Sequence, residues 1–420
     1  MVSEAAEVVI TGIGVVLPGC DNRADLWRHL HTGEAQLRLV EDPAGLAPAR
    51  PVGSIADFEA GRYLSEFPER HYRSCPRETQ IYLASTVLAR DDAKLELSSV
   101  PGDRVGLFDG TSRGNFAFWY DLIRRETEAT KRRIYTRREI LWCTPGQGVG
   151  IAAALLRIRG AAYTFTDSCS SGAIAIGHAF RELRDGEIDV AFAGGHEAAL
   201  IAPVFRMYAD AGLLSPEQED PARAVRPFLE STGNAFGEGA VTLVMESRAH
   251  ADRRGAPVLA SVAGFEYGNN GTHPGRVDVE GVRAREVLER LLSRSGTRSE
   301  EVGFVVGHGN GVRDSDASEL AYMRKVFGAR TASVPLISTK PIFGHTLGAA
   351  GAVNAAATAL MLAHRRTVRT VNVDADATPP DLSFGADQAL AADRTAGIAV
   401  SYGIGGHNSA LLLKRSEGAS

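Results

Sequence analysis

Two stretches, residues 169–183 (CSSGAIAIGHAFREL) and 345–364 (HTLGAAGAVNAAATALMLAH), constrain the fold of this chain more than any other feature. Both are helical in propensity, crowded with alanine and glycine, and apolar on nearly every side. A helix at a protein surface carries a polar face, so helices of this composition belong in the middle of a fold. Small residues there let neighbouring backbones approach closely. Around them, short apolar runs read as strands at residues 8–11, 105–108, 163–166, 190–193 and 240–245, alternating with helical stretches such as 147–157. That alternation points to an α/β architecture. A second series of strands and helices begins near Pro257 with VLASVAGFEYG, passes through 304–306, and ends with 397–402 and 410–413. The chain therefore reads as two α/β halves, 1–255 and 256–420, each with one small-residue helix at its centre, and the pairing hints at an internal duplication.

Several function classes are disfavoured. With 46 basic against 51 acidic residues, the charge is nearly balanced, and no nucleic-acid or membrane partner is expected. No run of about 18 apolar residues occurs, and the first residues, MVSEAAEVVITGIG, carry acid rather than a basic leader. Cys20, Cys75, Cys143 and Cys169 are scattered without metal or disulfide spacing, which fits a reducing, cytoplasmic setting and predicts no metal site. Gly12-Ile13-Gly14 follows a strand, but Leu17 stands where a dinucleotide fingerprint needs its third glycine, so this G-x-G is read as structural.

Three residues carry the chemistry. Cys169, in T-D-S-C-S-S-G-A, lies between a strand and the first buried helix, where the helix N-terminus is expected to favour a thiolate and to hold an oxyanion. His308 follows an apolar strand in G-H-G-N-G-V-R-D-S-D-A-S-E, and His345 opens the second buried helix in S-T-K-P-I-F-G-H-T-L-G-A-A-G. Glycines beside both permit tight backbone geometry at strand ends, where α/β sheets bind ligands.

These motifs, with S-Y-G-I-G-G-H-N near the C-terminus and R-P-F and G-E-G-A at residues 226–228 and 237–240, resemble in order and spacing those of the β-ketoacyl-acyl-carrier-protein synthases. The resemblance spans nearly the whole chain. It implies a thiolase-like five-layered αβαβα sandwich built from two related halves and assembled as a dimer, either with itself or with a ketosynthase-like chain-length subunit. A thiolase would carry a second cysteine in the C-terminal loop, and a synthase primed by acyl-CoA would pair cysteine with histidine and asparagine. The Cys-His-His set here is that of the elongating enzymes of fatty acid and type II polyketide systems.

The implied reaction is a decarboxylative Claisen condensation between an acyl group on Cys169 and a malonyl thioester, both delivered on the phosphopantetheine of an acyl carrier protein, with no bound metal or redox cofactor. The resemblance makes the backbone N–H groups of Cys169 and Ile404 the oxyanion hole, Ile404 the gate, Lys340 the residue that orients the first histidine, and Glu319 its carboxylate partner. Asp316 matches an acidic position of the family. Asn310, Val312 and His407 stand where the family places threonines that touch the phosphopantetheine arm, and Ile404 stands where a phenylalanine is usual, so substrate choice is expected to differ. The basic stretch RRETEATKRRIYTRR suggests carrier docking at Lys131, Arg132 and Arg133, against the reading of a solvated helix face. Trp119, Trp142 and Phe205 are candidates for setting pocket depth. Two alternatives remain: an acyltransferase that uses Cys169 without decarboxylation, and a chain-length-determining partner subunit, which retention of Cys169, His308, Lys340 and His345 disfavours.

Overall fold

The computed structural model describes residues 6–41, 48–131, 134–144, 146–273 and 275–416. Its main sheet contains β1 (Val8–Val16), β2 (Val105–Gly110), β3 (Ala162–Phe165), β4 (Val190–Glu197), β5 (Gly239–Ser247), β6 (Ala260–Asn269), β7 (Val302–Val306), β8 (Leu336–Ile337), β9 (Ala396–Gly403) and β10 (His407–Lys414). The spatial order is β8-β7-β9-β10-β6-β1-β5-β4-β2-β3. Each half thus repeats one pattern: third, second, fourth, fifth, first. In both, the first three strands of that order pair in parallel and the last two antiparallel. The halves join where Val8–Ile10 of β1 meets 260–262 of β6.

The helices that matter for the site are α1 (Arg77–Asp92), α2 (Phe116–Glu128), α3 (Ser171–Arg184), α4 (Ala202–Asp210), α5 (Val282–Ser295), α6 (Arg313–Phe327) and α7 (Ala350–Ala363). Strand alternation sorts the core into layers. In β4, Ala191 and Ala193 face a central cluster shared with α3 and α7, whereas Val190 and Phe192 face α1 and the helix Gln147–Leu156. In β10, Leu411 and Leu413 face the same central cluster, whereas Ala410 and Leu412 pack toward α5 and α6. The result is the expected αβαβα sandwich, with the two small-residue helices as its middle layer.

Small residues are what allow that layer to close. A Cβ added to Gly351 of α7 would lie 2.6 Å from the backbone nitrogen of Ala173 on α3, so any larger residue forces the helices apart. We expect Gly351→Ala to cost about 1–3 kcal/mol, the usual scale for overpacking a tight core, measured as a drop in urea midpoint at unchanged m-value. Both central helices are entered in the same way. A 3₁₀ turn, Ser168–Ser170 before α3 and Leu347–Ala349 before α7, begins in each case with a non-glycine residue of positive φ, Ser168 at 58° and Leu347 at 44°. Such backbone is strained and persists where its surroundings enforce it. Among the described residues, no helix is long and apolar enough to cross a membrane.

Candidate active site

Cys169 occupies the strained turn between β3 and α3. Ser171 Oγ accepts the Asp167 N–H at 2.8 Å and donates to the Ser168 carbonyl at 2.6 Å, which pins the turn from inside. From the other half, Ser401 Oγ donates to the Cys169 carbonyl at 3.2 Å. A Cβ on Gly403 would lie 2.6 Å from the Asp167 carbonyl oxygen, so the C-terminal loop that carries Ile404 rests directly on the nucleophile turn.

His308 stands just beyond β7. Its N–H donates to Glu319 Oε2 at 2.8 Å, and the Gly309 N–H donates to the same carboxylate. The Tyr402 N–H points at Nδ1 from 3.4 Å, which leaves the proton of a neutral His308 on Nε2. His345 is held by its backbone, with its N–H on the Ala235 carbonyl at 2.7 Å and its own carbonyl accepting the Gly237 N–H at 2.9 Å. The two imidazoles meet edge to face, 89° apart, with ring centroids separated by 5.0 Å. Cys169, His308 and His345 line one cavity of about 270 Å³. Its wall also includes the exposed Val277 and Ile404, so it opens to solvent.

Burial dominates the electrostatics. The Cys169 thiol is pushed up to about 11 by burial, which outweighs the lowering by Ser168, Arg113 and Lys340. Burial thus works against the thiolate that the helix start is expected to favour. If the thiol rests protonated, its alkylation by iodoacetamide should accelerate roughly tenfold per pH unit from pH 6 to 9; a plateau near pH 7 would contradict this. His308 and His345 are both driven well below the usual imidazole value, first by burial and then by the Lys340 charge. Both are neutral donors at pH 7.

Lys340 stands apart from Glu319, the carboxylate that the resemblance pairs with it. Its ammonium is fully buried, has no hydrogen-bond partner, and among the described residues has no carboxylate within ion-pair distance. Glu319 instead spends its oxygens on the N–H groups of His308 and Gly309 and on the Tyr322 hydroxyl at 3.2 Å. Lys340 and Glu319 still feel one another electrostatically. Burial pulls Lys340 down to about 8 and pushes Glu319 up to about 7. Asp316 is a loop anchor: it accepts the Phe228 N–H and the Ser231 hydroxyl, each at 2.8 Å.

The residues assigned to the phosphopantetheine arm line the cavity. Asn310 Oδ1 accepts the Val312 N–H at 3.0 Å, which leaves its Nδ2 3.2 Å from His308 Nε2, two donors side by side. The His407 ring lies 3.7 Å from Asp167. Arg132 and Arg133 lie outside the described residues, and Lys131 is exposed just beyond α2. On α2 itself, Arg124 and Arg125 pair with Asp121 and Glu128, so those two charges are offset locally. Trp119, Trp142 and Phe205 all lie off the cavity wall, although Phe205 packs edge-on against Phe236 in the apolar cluster around Cys169.

Two supporting residues escaped the sequence reading. Asn354 Nδ2 donates to the carbonyls of Gly307 and Val400, both at 2.9 Å, tying together the strand ends that carry His308 and the C-terminal loop. The signal was present: one amide in an otherwise apolar buried helix must find partners. Glu197 accepts N–H groups of Ser112, Arg113 and Gly348 at 2.9–3.2 Å, linking β4 to the turn after His345.

The comparisons agree with this architecture. Residues 5–251 match the β-ketoacyl synthase N-terminal domain and residues 259–374 its C-terminal domain. The chain is 29% identical to a putative polyketide β-ketoacyl synthase 1 of Streptomyces halstedii, covering 98% of both chains. It is 26% identical to the 3-oxoacyl-[acyl-carrier-protein] synthase 2 of Synechocystis, covering 99% of both. Among solved structures, the ishigamide ketosynthase/chain length factor superposes with a TM-score of 0.86 at 27% identity, covering 98% of this chain and 100% of that one. With family matches over both halves and a cysteine and two histidines gathered in one cavity, this chain belongs to the β-ketoacyl synthase family.

Proposed function

We propose that this protein catalyses decarboxylative condensation of an acyl group on Cys169 with a malonyl unit carried by an acyl carrier protein. The observation that carries the reading is the shared cavity: one sulfur and two neutral imidazoles at a site open to solvent. In the first half-reaction, Cys169 sulfur attacks the acyl thioester, the carrier thiol leaves with the proton, and the N–H groups of Cys169 and Ile404 hold the oxyanion. In the second, the malonyl carboxylate departs as carbon dioxide and its bonding pair remains as an enolate. N–H groups of His308 and His345 stabilise the enolate oxygen. The enolate carbon then attacks the acyl carbonyl, and the C–S bond breaks with its electron pair returning to sulfur. Lys340 acts here by its charge near the two rings, and Glu319 by fixing the His308 backbone.

Asn310, Val312 and His407 border the route of the phosphopantetheine arm, and Lys131, Arg132 and Arg133 are offered as carrier-docking residues. The protein is read as cytoplasmic, with its halves divided at 255/256. Dimerisation, with a second copy or with a chain-length subunit, is supported by β3, an edge strand of the main sheet on which Tyr163 is 52% exposed. The test is incubation with acyl- and malonyl-carrier protein, following carbon dioxide and carrier mass. A ketoacyl product two carbons longer supports the synthase. Acyl transfer without decarboxylation supports the acyltransferase, and neither event supports the silent partner.

A further inference from the structure

Cys169 belongs to an apolar cluster with Val204, Leu214, Phe236 and Leu347, and one polar group interrupts that cluster, the hydroxyl of Tyr208. Tyr208 lines the cavity beside the sulfur. Its hydroxyl accepts a hydrogen bond from Arg113 Nη2 at 2.8 Å, and the guanidinium carbon lies 5.9 Å from the ring centroid. Arg113 is partly buried, in the loop after β2, and its Nε is fully buried without a hydrogen-bond partner. Among the described residues, no carboxylate lies within ion-pair distance of it. Glu197 accepts only the backbone N–H of Arg113 and is committed to Ser112 and Gly348 as well.

A guanidinium has five N–H donors and is costly to bury unpaired. Here the phenol of Tyr208 lines the cavity next to the acyl-carrying sulfur, with the Arg113 cation donating to its oxygen from behind. The hydroxyl proton of Tyr208 is therefore directed to the cavity: a purely hydrocarbon tail would leave that donor unsatisfied, whereas an oxygen on the acyl group would complete it. We propose that Arg113 and Tyr208 form a recognition site for the acyl group on Cys169, selecting oxygenated chains, with a carboxylate or keto oxygen as acceptor, over saturated fatty chains.

This inference rests on the acyl-enzyme reading above, and its test separates the two. Pantetheine thioesters of equal length, hexanoyl, 5-oxohexanoyl and adipoyl, are offered to the full-length protein, and acylation of Cys169 is timed by intact mass. At least one oxygenated thioester should load about tenfold faster than hexanoyl, the scale of one charge-assisted hydrogen bond. Arg113→Met should abolish that preference, read as the ratio of oxygenated to hexanoyl loading within the variant because loss of the charge also makes Cys169 less reactive, and Arg113→Lys should restore part of it. Hexanoyl loading as fast as both oxygenated thioesters in the wild type overturns the inference while leaving the acyl-enzyme standing, and needs no variant to fold. Equal loss for all three thioesters in Arg113→Met overturns it too. Loading by none of them, with the thiol still alkylated, overturns the acyl-enzyme reading and this inference with it.

Discussion

Cys169→Ala should abolish condensation by roughly four to six orders of magnitude, the scale of loss when a covalent nucleophile is removed, while malonyl-carrier protein is still decarboxylated. The split follows from geometry. Condensation needs a thioester on sulfur, and the other cysteines cannot stand in: Cys20, Cys75 and Cys143 lie off the cavity wall. Loss of carbon dioxide needs only donors at the nascent enolate, and the two imidazoles are positioned without the sulfur. His345 is held by Ala235 and Gly237, and His308 by Glu319 and Tyr402. Product formation is read by carrier mass and decarboxylation by released carbon dioxide. Loss of both activities in a folded Cys169→Ala protein would mean that the histidines do not form an independent decarboxylating pair.

His345→Ala and His308→Ala should have the complementary effect. Each removes one donor from a preorganised, buried site, which costs about 10²–10³ in rate, and each should spare alkylation of Cys169. The pH dependence follows from the same burial. An imidazole held well below its usual value stays neutral on acidification past pH 6.5, so the two rings should add no step to the decarboxylation profile between pH 7.5 and about 6, where the buried Glu319 titrates. A decline centred near 6.5 that persists in Glu319→Gln would show ordinary, solvated histidines. Change confined to the alkaline side, near pH 8, would report loss of the Lys340 charge.

What the sequence disclosed, and what it hid, has physical causes. The central helices were legible because a helix without a polar face has few places to go. Strand cores were legible as apolar runs, but their lengths were not: β1 continues to Val16 through Gly12 and Gly14, past a bulge after Ile10, where pattern reading stops at the first glycine. Cys169, His308 and His345 were identifiable because glycine-bounded strand ends and a helix start gave each a context. Their charge states were not, since burial is a property of the assembled layers, and for Cys169 it outweighs the lowering by Ser168, Arg113 and Lys340. Lys340 and Glu319 share the right motifs, yet spacing in the chain does not reveal that the carboxylate is already taken by backbone N–H groups. For the same reason Asn310 looked free to meet an incoming arm, although its amide lies against His308. Arg113 gave no signal in sequence, because an arginine in a loop is ordinarily solvated and only the fold brings it against Tyr208.

The central claim is that sulfur and imidazoles act on one substrate in one cavity, and a single-turnover experiment tests it most directly. Protein already acylated on Cys169 is mixed with malonyl-carrier protein, and the masses of both proteins are followed together with carbon dioxide. The account predicts that the acyl mass leaves the enzyme and arrives on the carrier extended by two carbons, in step with carbon dioxide release. Departure of the acyl group unextended, to carrier or to water, without carbon dioxide would contradict it.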